Sequence, residues 1–200
     1  NHFKILEYCV EKGYAKNQDI HYNTNGTQLP GRDIFDLWKH FKRVEIAFSI
    51  DDVGEPFEYQ RYGAKWKEVN YNLNQFKTYQ TSNMEFQICS TINIFNIFSL
   101  AKLALWVRQF DPKFFYVNTC FDPDVFNIQT LPMQIKNIVN ARYSDLKDFA
   151  GTLRYMNSAD RDTEEIRNQR KKRILQTDRY RGENFGEVFP LLNKVLKIYE

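Results

Sequence analysis

Polar side chains recur at or near the ends of four predicted strands, and their chemistry suits the binding of a polar ligand. The first stretch, HYNTNGT, contains Asn23 and Asn25, and Asp51 follows the second strand. Asn93 ends the third strand and Asn118 lies in the fourth. A buried polar group without a partner costs roughly 1–3 kcal/mol, so such groups need hydrogen bonds. A bound polar ligand would supply them; the alternative is that the amides and ordered waters satisfy one another.

The strands are predicted from the alternation of apolar and polar residues. In the second strand, for example, Ile46 and Phe48 alternate with Ala47 and Ser49. Strands separated by helical segments favour parallel pairing through crossover helices, in a (β/α) barrel or an open doubly wound sheet. The predicted strands are Asp19 to Asn23, Arg43 to Ile50, Met84 to Asn93 and Phe114 to Thr119, and the helices between them are roughly Asp33 to His40, Lys65 to Tyr79 and Ile97 to Gln109.

Each predicted strand has one polar face, although parallel strands buried on both faces are usually apolar throughout. With helices on the apolar side, the polar faces are expected to surround a cavity. Ligands of parallel sheets bind at the carboxyl ends of the strands. The polar strand ends therefore predict a binding site.

The pattern changes after Pro132, where three helices are predicted over 132–157, 161–176 and 184–199, with Gly151 and Gly182 as interruptions. The sequence thus predicts two regions, a barrel-like domain over 1–131 and a helical extension over 132–200. The segment RNQRKKR lies in the second of these helices. Because acidic residues share that helix, a solvated face is favoured over a phosphate-binding patch.

Composition narrows the class of protein. The chain has 200 residues and is 42% hydrophobic, so we expect a folded core and not a disordered segment. Its net charge is only +3, which argues neither for nor against nucleic acid, and a nucleic-acid partner is not expected. No apolar run reaches the roughly 20 residues of a membrane span. Cys9, Cys89 and Cys120 are far apart and odd in number, which favours a reducing cytoplasm over a disulfide framework.

Several common catalytic and metal-binding motifs are absent from the sequence. The three histidines lack zinc-ligand spacing, and there is neither a phosphate-binding glycine loop nor a nucleophile elbow. The chain opens at Asn1 within a helical pattern, HFKILEYCVEKG, without a start methionine. This beginning predicts a piece of a longer protein.

Three motifs together resemble the second half of the barrel in radical SAM enzymes of the SPASM/twitch group. They are TNG at 24–26, SID at 49–51, and an arginine, Arg61, about ten residues later, ahead of Gly63, Trp66 and Val69. The segments STINIFNIFSL and YVNTCFDPDVFNIQTLP are similar to the sixth and seventh strands of that barrel. The resemblance covers roughly residues 1–135. It implies a partial (β/α) barrel with four parallel strands, followed by a helical C-terminal region.

The resemblance also implies roles for individual residues. Ser49 and Arg61 would contact the methionine part of S-adenosylmethionine, and a guanidinium suits a carboxylate through two parallel hydrogen bonds. Asn25 would contact the ribose or the substrate. Asp51 would hold the loop or face the substrate. The predicted substrate-binding residues are Asn23, Asp51, Asn93 and Asn118. For Arg61 the alternative is a surface ion pair with Glu55 or Glu58.

The sequence departs from the family at its iron–sulfur motifs. The three-cysteine loop for the 4Fe-4S cluster and the GGEP-type stretch are missing, and residues 121–200 contain no cysteine for an additional cluster. The resemblance therefore implies that the cluster ligands lie in an upstream segment. It also implies an electron donor such as flavodoxin or ferredoxin and a substrate that is a small molecule or a peptide.

Two functional hypotheses follow from these residues. The first is a fragment of a radical S-adenosylmethionine enzyme that binds the cofactor and substrate on its polar barrel face. In the full-length protein the cofactor would be cleaved reductively to a 5′-deoxyadenosyl radical, whereas the fragment alone is predicted to be inactive. The second is a non-catalytic binding or scaffold module that has lost the cluster. A third possibility is an ordinary aldolase or isomerase, which would need a lysine or an acid–base pair at a strand end.

Overall fold

The computed structural model describes residues 2–199, which form an α/β fold around one parallel sheet. Its strands, within these residues, are β1 (Asp19–Thr24), β2 (Arg43–Ser49), β3 (Met84–Ile92) and β4 (Phe114–Thr119). These bounds confirm the predicted strands to within one residue at each end. The pairing of β1 with β2 runs from Asp19–Arg43 to Thr24–Phe48, and that of β2 with β3 runs from Val44–Met84 to Ser49–Cys89.

The strands lie in their sequence order, β1-β2-β3-β4. A doubly wound sheet reverses its strand order at a switch point, whereas a (β/α) barrel adds each strand beside the previous one. The order therefore matches a partial (β/α) barrel, as predicted.

Helices connect the strands and make up most of the chain after β4. Among the described residues the α-helices are α1 (His2–Glu11), α2 (Arg32–Trp38), α3 (Glu55–Gln60), α4 (Trp66–Tyr79), α5 (Leu100–Phe110), α6 (Met133–Tyr143), α7 (Ala150–Asn157), α8 (Glu164–Arg181), α9 (Phe185–Val188) and α10 (Pro190–Leu196). Short 3-10 turns lie at Ala15–Asn17, Asp124–Phe126, Ile128–Thr130 and Lys147–Phe149. None of the helices within residues 2–199 has the length and apolar character needed to cross a membrane.

The helical region differs from its prediction at three places, one of which is α8, Glu164–Arg181 in place of the predicted 161–176. The segment 132–157 forms α6 and α7, and the break lies at Ser144 and Asp145 instead of Gly151. Serine and aspartate side chains compete with helical hydrogen bonding, which favours a turn there. The segment 184–199 divides into α9 and α10 because Pro190 restricts Phe189, whose φ and ψ are −125° and 60°. Gly182 ends α8 in the left-handed conformation, as its sequence position indicated.

The chain divides into two compact units. Unit 1 comprises the chain up to Ile50, Ala64–Cys89 and Phe110–Tyr116; unit 2 comprises Asp51–Gly63, Ser90–Gln109 and the chain from Val117 onward. The core of unit 1 contains the aromatic rings of Phe35, Phe48, Phe76 and Phe86. The core of unit 2 contains a second aromatic cluster, formed by Tyr59, Phe95, Phe185 and Phe189.

Candidate functional site

The carboxyl end of β1 continues into a tight turn, here called the amide turn (residues 24–27). Asn25 Oδ1 accepts hydrogen bonds from the backbone N–H of Thr27 at 3.1 Å and from its hydroxyl group at 2.7 Å. Gly26 has a φ of +76°, and its N–H donates to the hydroxyl oxygen of Thr24. Asn72 of α4 donates to the carbonyl of Gly26 at 2.9 Å. These bonds fix the position of Asn25 and leave its amide nitrogen without a partner among residues 2–199.

Ser49 ends β2 and pairs in register with Cys89. Its side chain is half-buried, and its hydroxyl group has no hydrogen-bond partner within the described residues. Asn25 and Ser49 each directly follow the last registered pair of β1 and β2, Thr24 and Phe48. The two side chains therefore lie on neighbouring strand ends of unit 1, and both have unused hydrogen-bonding capacity.

The amino-terminal part of the polar face in unit 1 is satisfied by its own residues. Glu45 Oε1 accepts from His21 Nδ1 at 2.9 Å and from Gln87 Nε2 at 3.1 Å. Arg43 lies 3.5 Å from the second oxygen of Glu45. Asn23, further along β1, is exposed, and its side chain has no partner among residues 2–199. Glu45, His21 and Gln87 therefore satisfy one another at this end of the strands, whereas Asn23 does not take part.

In unit 2, Asp51 is the centre of a hydrogen-bond network. Its Oδ2 accepts from Arg61 Nε at 3.0 Å and from Arg61 Nη2 at 2.7 Å, and its Oδ1 accepts from the backbone N–H of Thr91 at 2.8 Å. Arg61 follows α3, a six-residue helix that begins after Gly54 and carries Pro56 in its first turn. The sequence interpretation considered Glu55 and Glu58 as partners of Arg61, and did not consider Asp51.

Two asparagines extend this network. The fully buried Asn96 donates from Nδ2 to the carbonyls of Asp51 at 2.8 Å and Thr91 at 3.0 Å, and its Oδ1 accepts from the N–H of Asn93. Asn93 Nδ2 donates to Gln60 Oε1 at 3.0 Å. We call these residues, Asp51, Gln60, Arg61, Thr91, Asn93 and Asn96, the Asp51 network. Asn96 and Gln60 were not predicted as site residues, although Asn96 lies in STINIFNIFSL, one of the segments with the family resemblance.

Asn118 of β4 is exposed, and no partner of its side chain lies within the described part of the chain. Two residues on, Cys120 is half-buried with its Sγ 3.3 Å from the carbonyl of Asp122. Burial raises the pKa of the Cys120 thiol, the charge of Asp122 adds to this rise, and the hydrogen bond to the Asp122 carbonyl opposes it. The polar face is therefore open to solvent at Asn23 and Asn118, which differs from the enclosed cavity that the alternation predicted.

Asp52, which the sequence did not single out, is fully buried in unit 2. One carboxyl oxygen accepts from the N–H of Val53 at 2.8 Å and the other from the hydroxyl group of Ser99 at 2.6 Å. Burial raises the pKa of Asp52 to about 6, and the two hydrogen bonds oppose this rise. Asp52 lines an apolar cavity of about 170 Å³ together with Phe95, Phe98 and Phe189.

The residues differ in their fit to the two cofactors that the sequence implied. Within residues 2–199, no group of three or more His, Cys, Asp or Glu side chains could hold a metal ion, and all three cysteines are free thiols. These residues do not fit a 4Fe-4S cluster. The unpaired amide nitrogen of Asn25 and hydroxyl group of Ser49 do fit a polar ligand such as S-adenosylmethionine, which offers hydroxyl, amine and carboxylate groups.

Comparisons with known proteins give a likeness of fold. No protein-family model and no curated protein matches the chain. Among solved structures, native anSMEcpe with bound AdoMet and Cp18Cys peptide aligns at a TM-score of 0.49 and 20% identity, over 77% of this chain and 45% of that one. Native anSMEcpe with bound AdoMet aligns at 0.48 and 20% identity, over 77% and 44%. This chain thus spans less than half of those chains. Such a likeness does not establish a family or an activity.

Proposed function

We propose that this chain is the cofactor-binding and substrate-binding part of a radical S-adenosylmethionine enzyme of the SPASM/twitch type. The observation that carries the proposal is the placement of Asn25 and Ser49, the central residue of TNG and the first residue of SID. They lie at neighbouring strand ends with donors that no described residue uses. The order of the motifs along the chain supports the same proposal.

The proposed contacts follow from the groups that are available. The hydroxyl group of Ser49 would bond the methionine part of the cofactor, and the amide nitrogen of Asn25 would donate to a ribose hydroxyl or to the substrate. When bound, S-adenosylmethionine would supply the 5′-deoxyadenosyl group used for hydrogen abstraction from a substrate. The chain's own residues would bind and orient the two molecules.

Arg61 has a narrower role than the motif alone implied. Its Nε and one N–H of Nη2 already donate to Asp51, so the two N–H groups of Nη1 and the second N–H of Nη2 remain for a ligand carboxylate. Asp51 would accordingly orient Arg61 and hold the loop before α3, which is one of its two predicted roles. Asn93 is similarly committed to Gln60, whereas Asn23 and Asn118 keep free amides for a substrate.

The remaining parts of the proposal concern the complete protein. We propose that its 4Fe-4S cluster is held by residues outside those described here, and no step is assigned to it. A flavodoxin or ferredoxin as electron donor, a peptide or small-molecule substrate, and a cytoplasmic location also stay predictions. So does the division into 1–131 and 132–200. The alternative is a non-catalytic module that binds ligands with the same strand ends.

Titration of S-adenosylmethionine into the 200-residue chain by isothermal calorimetry tests the proposal. We expect weak binding, about millimolar, that is lost in Ser49→Ala and in Asn25→Ala. The control is Asn137→Ala, which changes an exposed residue of α6. Equal affinity in all variants, or no heat for the unsubstituted chain at several millimolar cofactor, would count against these contacts.

Catalysis is tested with the complete protein after anaerobic reconstitution with iron and sulfide. The proposed function requires reductive cleavage of S-adenosylmethionine to methionine and 5′-deoxyadenosine. Cofactor binding without any cleavage would instead support the non-catalytic module.

A further inference from the structure

A second cavity lies within unit 2, and its lining residues do not include Asn25, Ser49 or Arg61. It has a volume of about 150 Å³ and lies between α3 and α8. Its lining residues are Tyr59, Gln60, Phe95, Phe126, Arg173, Ile174, Thr177 and Arg181. These side chains form a cationic wall and an aromatic wall.

The cationic wall is a stripe along α8. Arg173, Thr177 and Arg181 are spaced four residues apart, so they project from the same side of the helix on successive turns. The side chains of Arg173 and Thr177 have no hydrogen-bond or ion-pair partner among residues 2–199. Arg181 donates from Nη1 to the carbonyl of Tyr59 at 3.1 Å and lies 3.7 Å from Glu183. The stripe therefore has donors to spare on all three residues.

A further positive charge lies beside the cavity and is not neutralised by a direct carboxylate contact. Arg170 is buried in α8 and donates from Nε to the carbonyl of Val125, the neighbour of Phe126, at 2.9 Å. Its Nη2 donates to the carbonyl and hydroxyl oxygens of Thr130. All three acceptors are uncharged. Two carboxylates lie near these arginines, because Glu183 is 3.7 Å from Arg181 and Asp178 accepts from the hydroxyl group of Tyr59 at 2.7 Å. The three arginines, Arg170, Arg173 and Arg181, outnumber them by one.

The aromatic wall consists of Tyr59, Phe95 and Phe126, which line the same cavity as this stripe. The rings of Tyr59 and Phe95 have centroids 5.7 Å apart, and those of Phe95 and Phe126 are 5.0 Å apart. A cavity of about 150 Å³ has the volume that benzene needs, and this one is lined by both apolar and polar side chains. The cavity can therefore enclose one aromatic ring while a charged group on that ring reaches the arginines.

We propose that this cavity binds an anionic aromatic group, an aryl carboxylate or an aryl phosphate. Tyr59, Phe95 and Phe126 contact the ring, and Arg173 and Arg181 bind the anion, with Thr177 donating a hydrogen bond between them. Guanidinium groups suit both anions because they present paired N–H donors. The inference goes beyond the proposed function and does not depend on cofactor binding.

The test uses phenyl phosphate and benzoate as probes, with benzyl alcohol as the neutral probe of similar shape. Each is titrated into the 200-residue chain by isothermal calorimetry. We expect phenyl phosphate or benzoate to bind at least about tenfold more tightly than benzyl alcohol, and the stronger of the two identifies the preferred anion. Higher salt should weaken their binding but not that of benzyl alcohol.

Substitutions then assign the binding to the stripe. Arg173→Gln and Arg181→Gln should each weaken anion binding about tenfold or more, because charge-assisted hydrogen bonds are lost. Thr177→Val should weaken it less. The matched control is Arg179→Gln, an exposed arginine of the same helix outside the cavity lining, which should bind as the unsubstituted chain does.

Arg181→Gln also removes a bond to Tyr59, so Arg173→Gln is the decisive variant if the former fails to fold. Unchanged anion affinity in Arg173→Gln would overturn the proposal. Tighter binding of benzyl alcohol than of both anions, or no binding of any probe, would overturn it as well.

Discussion

Two sets of polar residues follow the strands, and they differ in what their side chains bond to. In unit 1, Asn25 and Ser49 keep an amide nitrogen and a hydroxyl group that no described residue uses. In unit 2, Asp51 and Asn96 have each side-chain oxygen or nitrogen bonded to the protein. The alternation of residue types placed Asn25, Ser49 and Asp51 alike among the polar strand-end residues, whereas Asn96 was not predicted. Only their partners distinguish a group that can bind a ligand from one that holds the backbone.

Burial explains this difference. Asn96 is fully buried, where an unmade hydrogen bond would be costly, while Asn25 is exposed and Ser49 is half-buried, so that water can satisfy them. The Asp51 network therefore has the character of a scaffold. The strand ends of unit 1 have the character of a binding surface, and substitutions should separate the two.

The largest effect is expected from Asn96→Ala. The substitution leaves the carbonyls of Asp51 and Thr91 and the N–H of Asn93 without their partner. We expect a loss of about 3 kcal/mol in the free energy of unfolding, measured by urea denaturation at pH 7. The matched control is Asn118→Ala, which removes an exposed amide without a described partner and should change stability by less than about 0.5 kcal/mol. Equal losses in the free energy of unfolding of both variants would contradict the distinction between a scaffold and a binding surface.

The next effect concerns the buried carboxylate of Asp52, which competes with a backbone carbonyl for one hydroxyl hydrogen. The hydroxyl group of Ser99 faces two acceptors, Asp52 Oδ2 at 2.6 Å and the carbonyl of Asn96 at 3.0 Å, and it can donate to only one. A protonated Asp52 could donate to Ser99 and free that hydroxyl group for Asn96. Asparagine at this position would imitate the protonated acid at all pH values.

The pH dependence follows from the raised pKa. Because the pKa of Asp52 rises from 3.8 to about 6 on folding, the native state binds more protons between these values. Stability is therefore highest below about pH 4 for this group and falls as the pH rises through 6, by up to about 3 kcal/mol. We expect Asp52→Asn to raise the free energy of unfolding at pH 7 by about 1–3 kcal/mol and to flatten this dependence. Denaturation curves from pH 4 to 8 measure the free energy of unfolding and its pH dependence. If the stability of Asp52→Asn changed with pH as much as that of the unsubstituted chain, this would contradict the assignment of the dependence to Asp52.

The sequence predicted the strands well because alternation is a local property. β4 has the predicted bounds and β1 ends one residue later than predicted. The polar strand ends were predictable for the same reason. Pro190 also carried a local signal, and the break before α10 could have been predicted from it.

The partners of the polar groups could not be predicted in this way. Arg61 pairs with Asp51 because α3, only six residues long, turns the chain back between them. No periodicity can be recognised over so few residues. The link from Asn96 to two carbonyls likewise depends on how β3 and the segment after β2 come together. Tertiary placement, which the pattern of residue types does not encode directly, decides which polar groups are left for a ligand.

A smaller effect is expected at Gly26, which shapes the amide turn. Its φ of +76° disfavours a side chain, and an added Cβ would lie 3.0 Å from Cγ1 of Val69. We expect Gly26→Ala to cost about 1–2 kcal/mol of stability and to weaken cofactor binding by displacing Asn25. The control is Gly63→Ala, with a similar φ of +86° and no heavy atom within 4 Å of the added Cβ. Identical losses in urea denaturation would mean that backbone strain alone acts at Gly26.

The smallest change in stability is expected for Ser49→Ala. This variant also tests the difference between scaffold and binding surface most directly. No described residue bonds this hydroxyl group, so the free energy of unfolding should change by less than about 0.5 kcal/mol. The matched variant is Ser99→Ala, which removes the hydroxyl group that lies between Asp52 and the carbonyl of Asn96 and should cost about 1 kcal/mol. Cofactor binding should show the reverse order, with Ser49→Ala weakened and Ser99→Ala retained. A stability loss at Ser49 as large as that at Ser99 would assign Ser49 to the scaffold and remove it from the proposed binding surface.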